Sequence, residues 1–483
     1  MNTPITRLFL VVLVMFALLV AFTSRWTVFD ASALRNNPEN KRPGLEDLYV
    51  ARGSIVAADG TVIARSVRQK GGFYVRTYPL GSLFASPIGY YDPNNGASEL
   101  ERYRSGVLAG SPPQQSTILN QLSGRSTAGD EVVTTLDEHA QQVAYAGLAG
   151  RTGSVVAIVP STGEIKVLAA TPTFDPNLVR RHATFQSLTR DSVRQPLFNR
   201  ATQAQWAPGS TFKVVTAIAA IDSGRLTPAS VINGKSPITV SGRPLANDSG
   251  TSYGRVSLTT ALTLSINTVW AQVALKVGAS TLQDYMNRLG FYHLPPIDLP
   301  PDQLAVSGVR YPNHPGYLQV PAGADVGRVG IGEGGLEVTP LQMAMVAAAV
   351  ADRGLLMVPH LTARIVNPDG QVVQTLSPRL YSRVMKPSTA QAVGQMMTQV
   401  VKEGTGTAAA LAGITVAGKT GTAQDCSSIA VCNTSQVWFI AFAPVAAPKI
   451  AIAVTLEHQI GFGGTIAAPI AKSVLEALLG SGA

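Results

Sequence analysis

Residues 413–422, "GITVAGKTGT", fit two motif descriptions that belong to different folds. Gly413, Gly418, Lys419 and Thr420 satisfy G-x-x-x-x-G-K-[ST], a phosphate-binding loop that would make the chain a nucleotidase. Lys419, Thr420 and Gly421 also spell K-T-G, one element of a serine acyl-transfer site. A phosphate loop needs an apolar strand running into its first glycine and a helix starting at the Lys-Thr pair, so that N–H groups converge on phosphate. Here "GTAAALA" before Gly413 reads as helical, Ile414, Thr415 and Val416 are β-branched strand formers, and "GTAQDCSS" starts a helix poorly. The run "ITVAGKTGTAQ" is therefore read as a strand, in which a glycine marks the close approach of another backbone or a ligand.

Three residues carry little information alone, so the K-T-G reading depends on partners. Upstream, "WAPGSTFKVV" sets Ser210 and Lys213 three residues apart behind Pro208-Gly209, on one face of a helix. Ser210 then sits near a helix N-terminus, where free N–H groups and the dipole favour developing negative charge. A lysine that takes a serine proton must be neutral, which desolvation and a nearby cation such as Lys419 can bring about. Between the two, "LTLSINTVW" places Ser265 and Asn267 as S-x-N, a pair that projects together only from a turn between helices. Taken singly, a capping serine, a solvated lysine or a turn Ser/Asn is the ordinary explanation. In the order S-x-x-K, S-x-N, K-T-G, coincidence is a poor one. A further glycine motif, "GIGEGG" at 330–335, matches G-x-G-x-x-G but follows no strand and is separated from the next helix by "LEVTP", so it reads as a glycine-lined turn rather than a dinucleotide site.

Composition narrows the rest. A chain of 483 residues, 46% hydrophobic and 14% charged, can bury a large core in more than one domain. The uncharged run "LFLVVLVMFALLVAF", 8–22, lies between Arg7 and Arg25 without a good small-residue cleavage site after it, and reads as an uncleaved membrane anchor. A net charge of +9 suits anionic partners, yet no Lys/Arg cluster with interleaved aromatics argues for nucleic acid. Neither H-E-x-x-H nor C-x-x-C occurs, so no metal and no cofactor is expected. Cys426 and Cys432, the only cysteines, are a possible disulfide or two free thiols.

Along the chain, polar "DASALRNNPENKR" (30–42) reads as a tether. "RGSIVAADGTVIARS" and "TGSVVAIVPSTGEIKVLAAT" read as hairpins. "STFKVVTAIAAIDSG" reads as a helix ended by Gly224, with more helix over 258–277, and Thr339-Pro340 as the cap and first residue of another. "QVWFIAFAP" and "KIAIAVTLE" are strand-like, and a last helix is expected from about Ala467. Strands, then helices, then strands and a helix make an α+β pattern. The expected organisation is a membrane anchor over 1–25, a smaller mixed N-terminal domain over 26–150 and a larger domain over 151–483.

With these residues assembled, the sequence resembles the penicillin-binding proteins, the penicilloyl-serine transferases. "PLFNRATQAQWAPGSTFKVVTAIAA", "GIGEGGLEVTPLQMA", "VAGKTGTAQ" and "GGTIAAPI" look like transpeptidase-domain signatures, and "ARGSIVAADGTVIA" with "VRTYPLGSLFASPIGYY" is similar to the class B members. The resemblance implies a β-lactamase/transpeptidase-like domain, an antiparallel sheet with flanking helices, in a peptidoglycan D,D-transpeptidase that β-lactams acylate. Ser210 would attack the penultimate D-alanine carbonyl of a stem peptide, with Lys213 as base, Ser265 as proton relay and Asn267 bonded to the peptide. Lys419 would hold the substrate carboxylate with the hydroxyls of Thr420 and Thr422; Gly421 would leave room for the peptide; the N–H groups of Ser210 and Thr422 would form the oxyanion hole. Expected partners are stem peptides, β-lactam antibiotics, the membrane, a polytopic glycan polymerase and division or elongation proteins. A D,D-carboxypeptidase, a β-lactamase or a non-catalytic penicillin-binding sensor would share the motifs. Glu333 and Arg353 depart from the family pattern, standing where many members carry Gln and Asn.

Overall fold

The computed structural model describes residues 2–26, 48–109, 128–310, 317–318, 325–424 and 434–480. The expected tether at 30–42 and both Cys426 and Cys432 lie outside them. The chain opens with the helix Asn2–Ser24, whose residues 3–24 have a mean hydropathy of 2.7 and are not covered by the rest of the protein. That length and composition suffice to cross a membrane.

Two sheets organise the rest of the described chain. The larger, by the length of its five strands, is wholly antiparallel, in the strand order Ala417–Gln424, Ser435–Ala443, Ile450–Gln459, Gly153–Ile158 and Ile165–Thr171. Its residues alternate between two cores, as a sheet covered on both faces requires. Val437, Phe439 and Ala441 pack with the helices Glu138–Leu148 and Gly463–Gly480, whereas Trp438, Ile440 and Phe442 face the helices Lys213–Asp222, Asn267–Val277 and Pro340–Ala351. The α+β architecture expected from sequence is present, with helices on both sides of an antiparallel sheet.

The second sheet has six strands, in the order Val372–Thr375, Thr362–Val366, Glu131–Thr134, Ile55–Val56, Val62–Arg68 and Tyr74–Thr77. Ile55–Val56 and Glu131–Thr134 pair in parallel; the other neighbours are antiparallel. Two of its strands come from the C-terminal half of the chain, with Thr362 opposite Thr134. The helix Glu138–Leu148, before residue 150, lies on the larger sheet.

Both expected hairpins form, and Thr339 caps the helix Pro340–Ala351 by accepting the Gln342 N–H at 3.1 Å. The last helix begins at Gly463, not near Ala467, because the two glycines and Pro469 that weaken its sequence signal sit inside it. The expected strand "ITVAGKTGTAQ" starts only at Ala417; Leu411 and Ile414 form an isolated bridge before it, and the helical reading of "GTAAALA" shrinks to a single 3-10 turn, Thr407–Ala409.

Candidate active site

Ser210 lies in the 3-10 turn Gly209–Phe212, which runs directly into the helix Lys213–Asp222. The turn is seated by backbone contacts. Gly209 has φ +51°, and a Cβ there would fall 2.8 Å from the Thr422 carbonyl oxygen and 3.2 Å from the Thr422 nitrogen. On its other side Gly209 donates its N–H to the Gly332 carbonyl at 3.1 Å, and a Cβ on Gly332 would drive into the Gly209 carbonyl. Only glycine fits such approaches at positive φ. The approach to the turn is pinned as well: the Trp438 indole N–H donates to the Ala207 carbonyl at 3.0 Å, and Trp206 meets Trp438 edge to face with centroids 6.2 Å apart.

Gly421 belongs to the same seat. The resemblance implied room for the peptide here; the space a Cβ would take holds the Pro208 carbonyl oxygen at 2.7 Å, Thr211 Cγ2 at 2.9 Å and Trp438 Cβ at 3.0 Å. The glycine admits the turn bearing Ser210 onto the strand, and that turn is the closely approaching backbone that a glycine within a strand signals.

Ser265 sits between the helices Leu258–Thr263 and Asn267–Val277, at φ +59°, which turns the chain so that Ser265 and Asn267 face the same centre. There Lys213 Nζ donates to Ser265 O at 2.7 Å and to Asn267 Oδ1 at 2.6 Å, and lies 3.2 Å from Ser265 Oγ. Lys419 Nζ reaches Ser265 Oγ at 2.9 Å and the Thr420 carbonyl at 3.0 Å. Ser265 thus joins both lysines, and residues from positions 213, 265, 267 and 419 meet at one point.

Lys213 and Lys419 are both completely buried, whereas Ser210, Ser265 and Asn267 are half-buried. Burial pushes the Lys213 ammonium well below the usual lysine range, the Lys419 charge pushes it further, and the Glu333 carboxylate pulls in the opposite direction. Burial alone lowers Lys419 to about 7. The arrangement supplies, beside a hydroxyl, an amine that gives up its proton far more readily than an ordinary lysine, with a second amine that is protonated through part of the physiological range.

The flanking threonines differ. Thr420 Oγ1 is 2.6 Å from Thr405 Oγ1 and 3.4 Å from Lys419 Nζ, while Thr422 Oγ1 accepts the Gly463 N–H at 3.2 Å. Sequence reasoning assigns none of Thr405, Gly332 and Glu333 to the site. "GIGEGG" is the expected glycine-lined turn, and its Gly332 is where that turn meets the one bearing Ser210; Thr405 carries no motif at all. No group of three or more His, Cys, Asp or Glu among the described residues is placed to hold a metal ion.

Comparison with known proteins gives the family. Residues 153–476 match the penicillin binding protein transpeptidase domain, and 52–132 match the penicillin binding protein A dimerisation domain. The chain is 32% identical to the peptidoglycan D,D-transpeptidase PbpA of Mycolicibacterium smegmatis over 100% of both chains. It is likewise 32% identical to PbpA of Mycobacterium tuberculosis over 99% of each. A ceftriaxone acyl-enzyme complex of penicillin-binding protein A from M. tuberculosis superposes with a TM-score of 0.82 at 31% identity, covering 90% of this chain and 100% of that one.

Proposed function

The chain belongs to the penicillin-binding protein transpeptidase family and is a peptidoglycan D,D-transpeptidase acting through a serine acyl-enzyme; from that premise we propose the residues that do the work. Ser210 is the nucleophile. The observation that carries the assignment is the single set of contacts in which Lys213 Nζ and Lys419 Nζ both reach Ser265, with Lys213 one helical turn from Ser210.

Neutral Lys213 takes the Ser210 proton as Oγ attacks the penultimate D-alanine carbonyl of a stem peptide. Developing oxyanion charge falls to the N–H groups of Ser210 and Thr422, which the Gly209 contact brings together. The proton returns through Ser265 to the departing D-alanine nitrogen. Lys419, in its charged form, attracts the terminal carboxylate together with the hydroxyls of Thr420 and Thr422, and Asn267 divides its side chain between Lys213 and the peptide. A second stem peptide's amine then displaces Ser210 and closes the cross-link. A β-lactam enters the same path and stops at the acyl-enzyme.

The helix Asn2–Ser24 anchors the chain, with the catalytic centre outside the cytoplasm and the N-terminal sheet facing partner proteins such as a membrane-embedded glycan polymerase and division or elongation factors. The full chain in detergent micelles, incubated with a fluorescent penicillin, is expected to carry a slowly clearing adduct on Ser210 that the Ser210→Ala protein lacks. An adduct on another residue by peptide mass overturns the assignment, and clearance within seconds favours a β-lactamase.

A further inference from the structure

The centre that receives a stem peptide's carboxylate is built around two lysines, and the second substrate of the proposed reaction carries the opposite charge. Its nucleophile is a primary amine, which in neutral water is almost entirely ammonium. A cation approaching Lys213 and Lys419 is repelled unless a carboxylate offsets them, and Glu333 is the carboxylate whose charge acts on Lys213.

Backbone fixes its place. Gly332, the residue before it, packs on Gly209 and accepts the Gly209 N–H, so Glu333 stands one residue from the seat of the Ser210 turn. Its own N–H donates to the Arg328 carbonyl at 3.0 Å and its carbonyl accepts from Leu336 N–H at 3.3 Å, which ties down both sides of the residue. The side chain is exposed, and no hydrogen bond or ion pair takes up its carboxylate among the described residues. Neighbouring charges are otherwise engaged. Arg328 pairs with Asp325 and donates to the Val240 and Pro244 carbonyls at 3.2 and 3.0 Å, and Lys213 is held by Ser265 and Asn267. Glu333 is also one of the two positions at which the sequence departs from the family pattern.

We propose that Glu333 is the acceptor-side catalytic residue: its carboxylate receives the ammonium of the incoming amine substrate and takes its proton beside the acyl-enzyme. The inference rests on the acyl-transfer reading above. The ammonium gives one proton to the Glu333 carboxylate, which releases it to solvent. The freed lone pair forms the C–N bond to the acyl carbonyl carbon, the bond from that carbon to Ser210 Oγ breaks, and the second amine proton returns to Oγ through Lys213 and Ser265. The protein packed around Glu333, though it leaves the side chain open to solvent, raises the carboxyl above the usual range; Lys213 and Arg328 oppose this and Asp325 adds to it, which suits a group that must accept a proton and pass it on.

The test uses the partition of the acyl-enzyme, which cancels any change in acylation rate. The full chain in micelles is acylated with a small D-alanyl thioester in the presence of a D-amino acid amide, cationic at pH 7, or of hydroxylamine, neutral at that pH, and aminolysis and hydrolysis products are quantified by mass. Glu333→Gln is expected to lower the aminolysis-to-hydrolysis ratio about tenfold for the cationic amine, the scale of one lost charge-assisted hydrogen bond, and to leave the hydroxylamine ratio unchanged. Glu333→Asp is expected to restore part of the loss. An equal fall with both acceptors, or no fall with either, overturns the proposal. Absence of any acyl-enzyme in the unaltered chain overturns the acyl-transfer reading, and this one with it.

Discussion

Around Glu101, in the N-terminal sheet region, a buried carboxylate accepts from Arg52 Nε at 2.8 Å, Arg76 Nε at 2.6 Å and the Tyr78 hydroxyl at 3.2 Å. Around Ser265, in the larger domain, two buried lysines share one hydroxyl, and among the described residues no carboxylate is bonded to either. Burial alone would raise Glu101, but Arg76 and Arg52 hold it below the usual carboxylate range, so it stays charged. Burial lowers both lysines, and nothing bonded to them restores their charge. The first cluster spends its electrostatics on holding one arrangement of the chain. The second leaves charge unmatched, which lets protons move and leaves a cation for an anionic substrate.

Removing one group from each cluster should therefore break different things. Lys213→Met is expected to slow penicillin acylation by about 10²–10⁴-fold, the range for loss of a general base, while the thermal midpoint stays within about 5 °C, because a costly buried amine goes with it. A large fall in midpoint with acylation retained would show that Lys213 is structural. Glu101→Gln is expected to do the reverse, destabilising the protein by about 3–5 kcal/mol, since two buried guanidinium groups lose their counter-charge. Acylation by the fraction still folded should stay close to the unaltered rate. The Glu101 contribution is present above the unfolded value near 4.5 and is lost as pH falls through the lower folded value, so the Gln variant should lack that acid-side slope in thermal melts. An unchanged slope would show that Glu101 titrates alike in the folded and unfolded chain.

The smallest effect sharpens the contrast. Acylation should rise with pH while Lys213 loses its proton and should decline above about 7, as Lys419 loses the charge that attracts the carboxylate. A rate that climbs without a break to about pH 10 would assign Lys419 a role independent of its charge.

The elements legible in sequence were those whose signals are local. Alternating apolar arms about Asp59-Gly60 and Pro160–Gly163 marked hairpins, and Thr339-Pro340 marked a helix start. The pairing of Thr362–Val366 with Glu131–Thr134 was not legible, because partner choice between distant strands leaves no periodicity in either. In the site, S-x-x-K, S-x-N and K-T-G were readable as fixed spacings, and the structure brings Lys213, Ser265, Asn267 and Lys419 together. The Gly332–Gly209 contact and the Thr405–Thr420 bond were not, since each depends on where a separate loop comes to rest.

That long-range pairing also has a history in time. A chain made from its N-terminus at about 5–20 residues per second exposes Val132 and Val133 on an unpaired strand edge for tens of seconds before Thr362–Val366 exists to cover it. During that interval the first-made sheet is unfinished while the Ser210 segment has already emerged. The first-made sheet therefore cannot close until Val372–Thr375 has been made, long after the Ser210 segment but before the last three strands of the larger sheet.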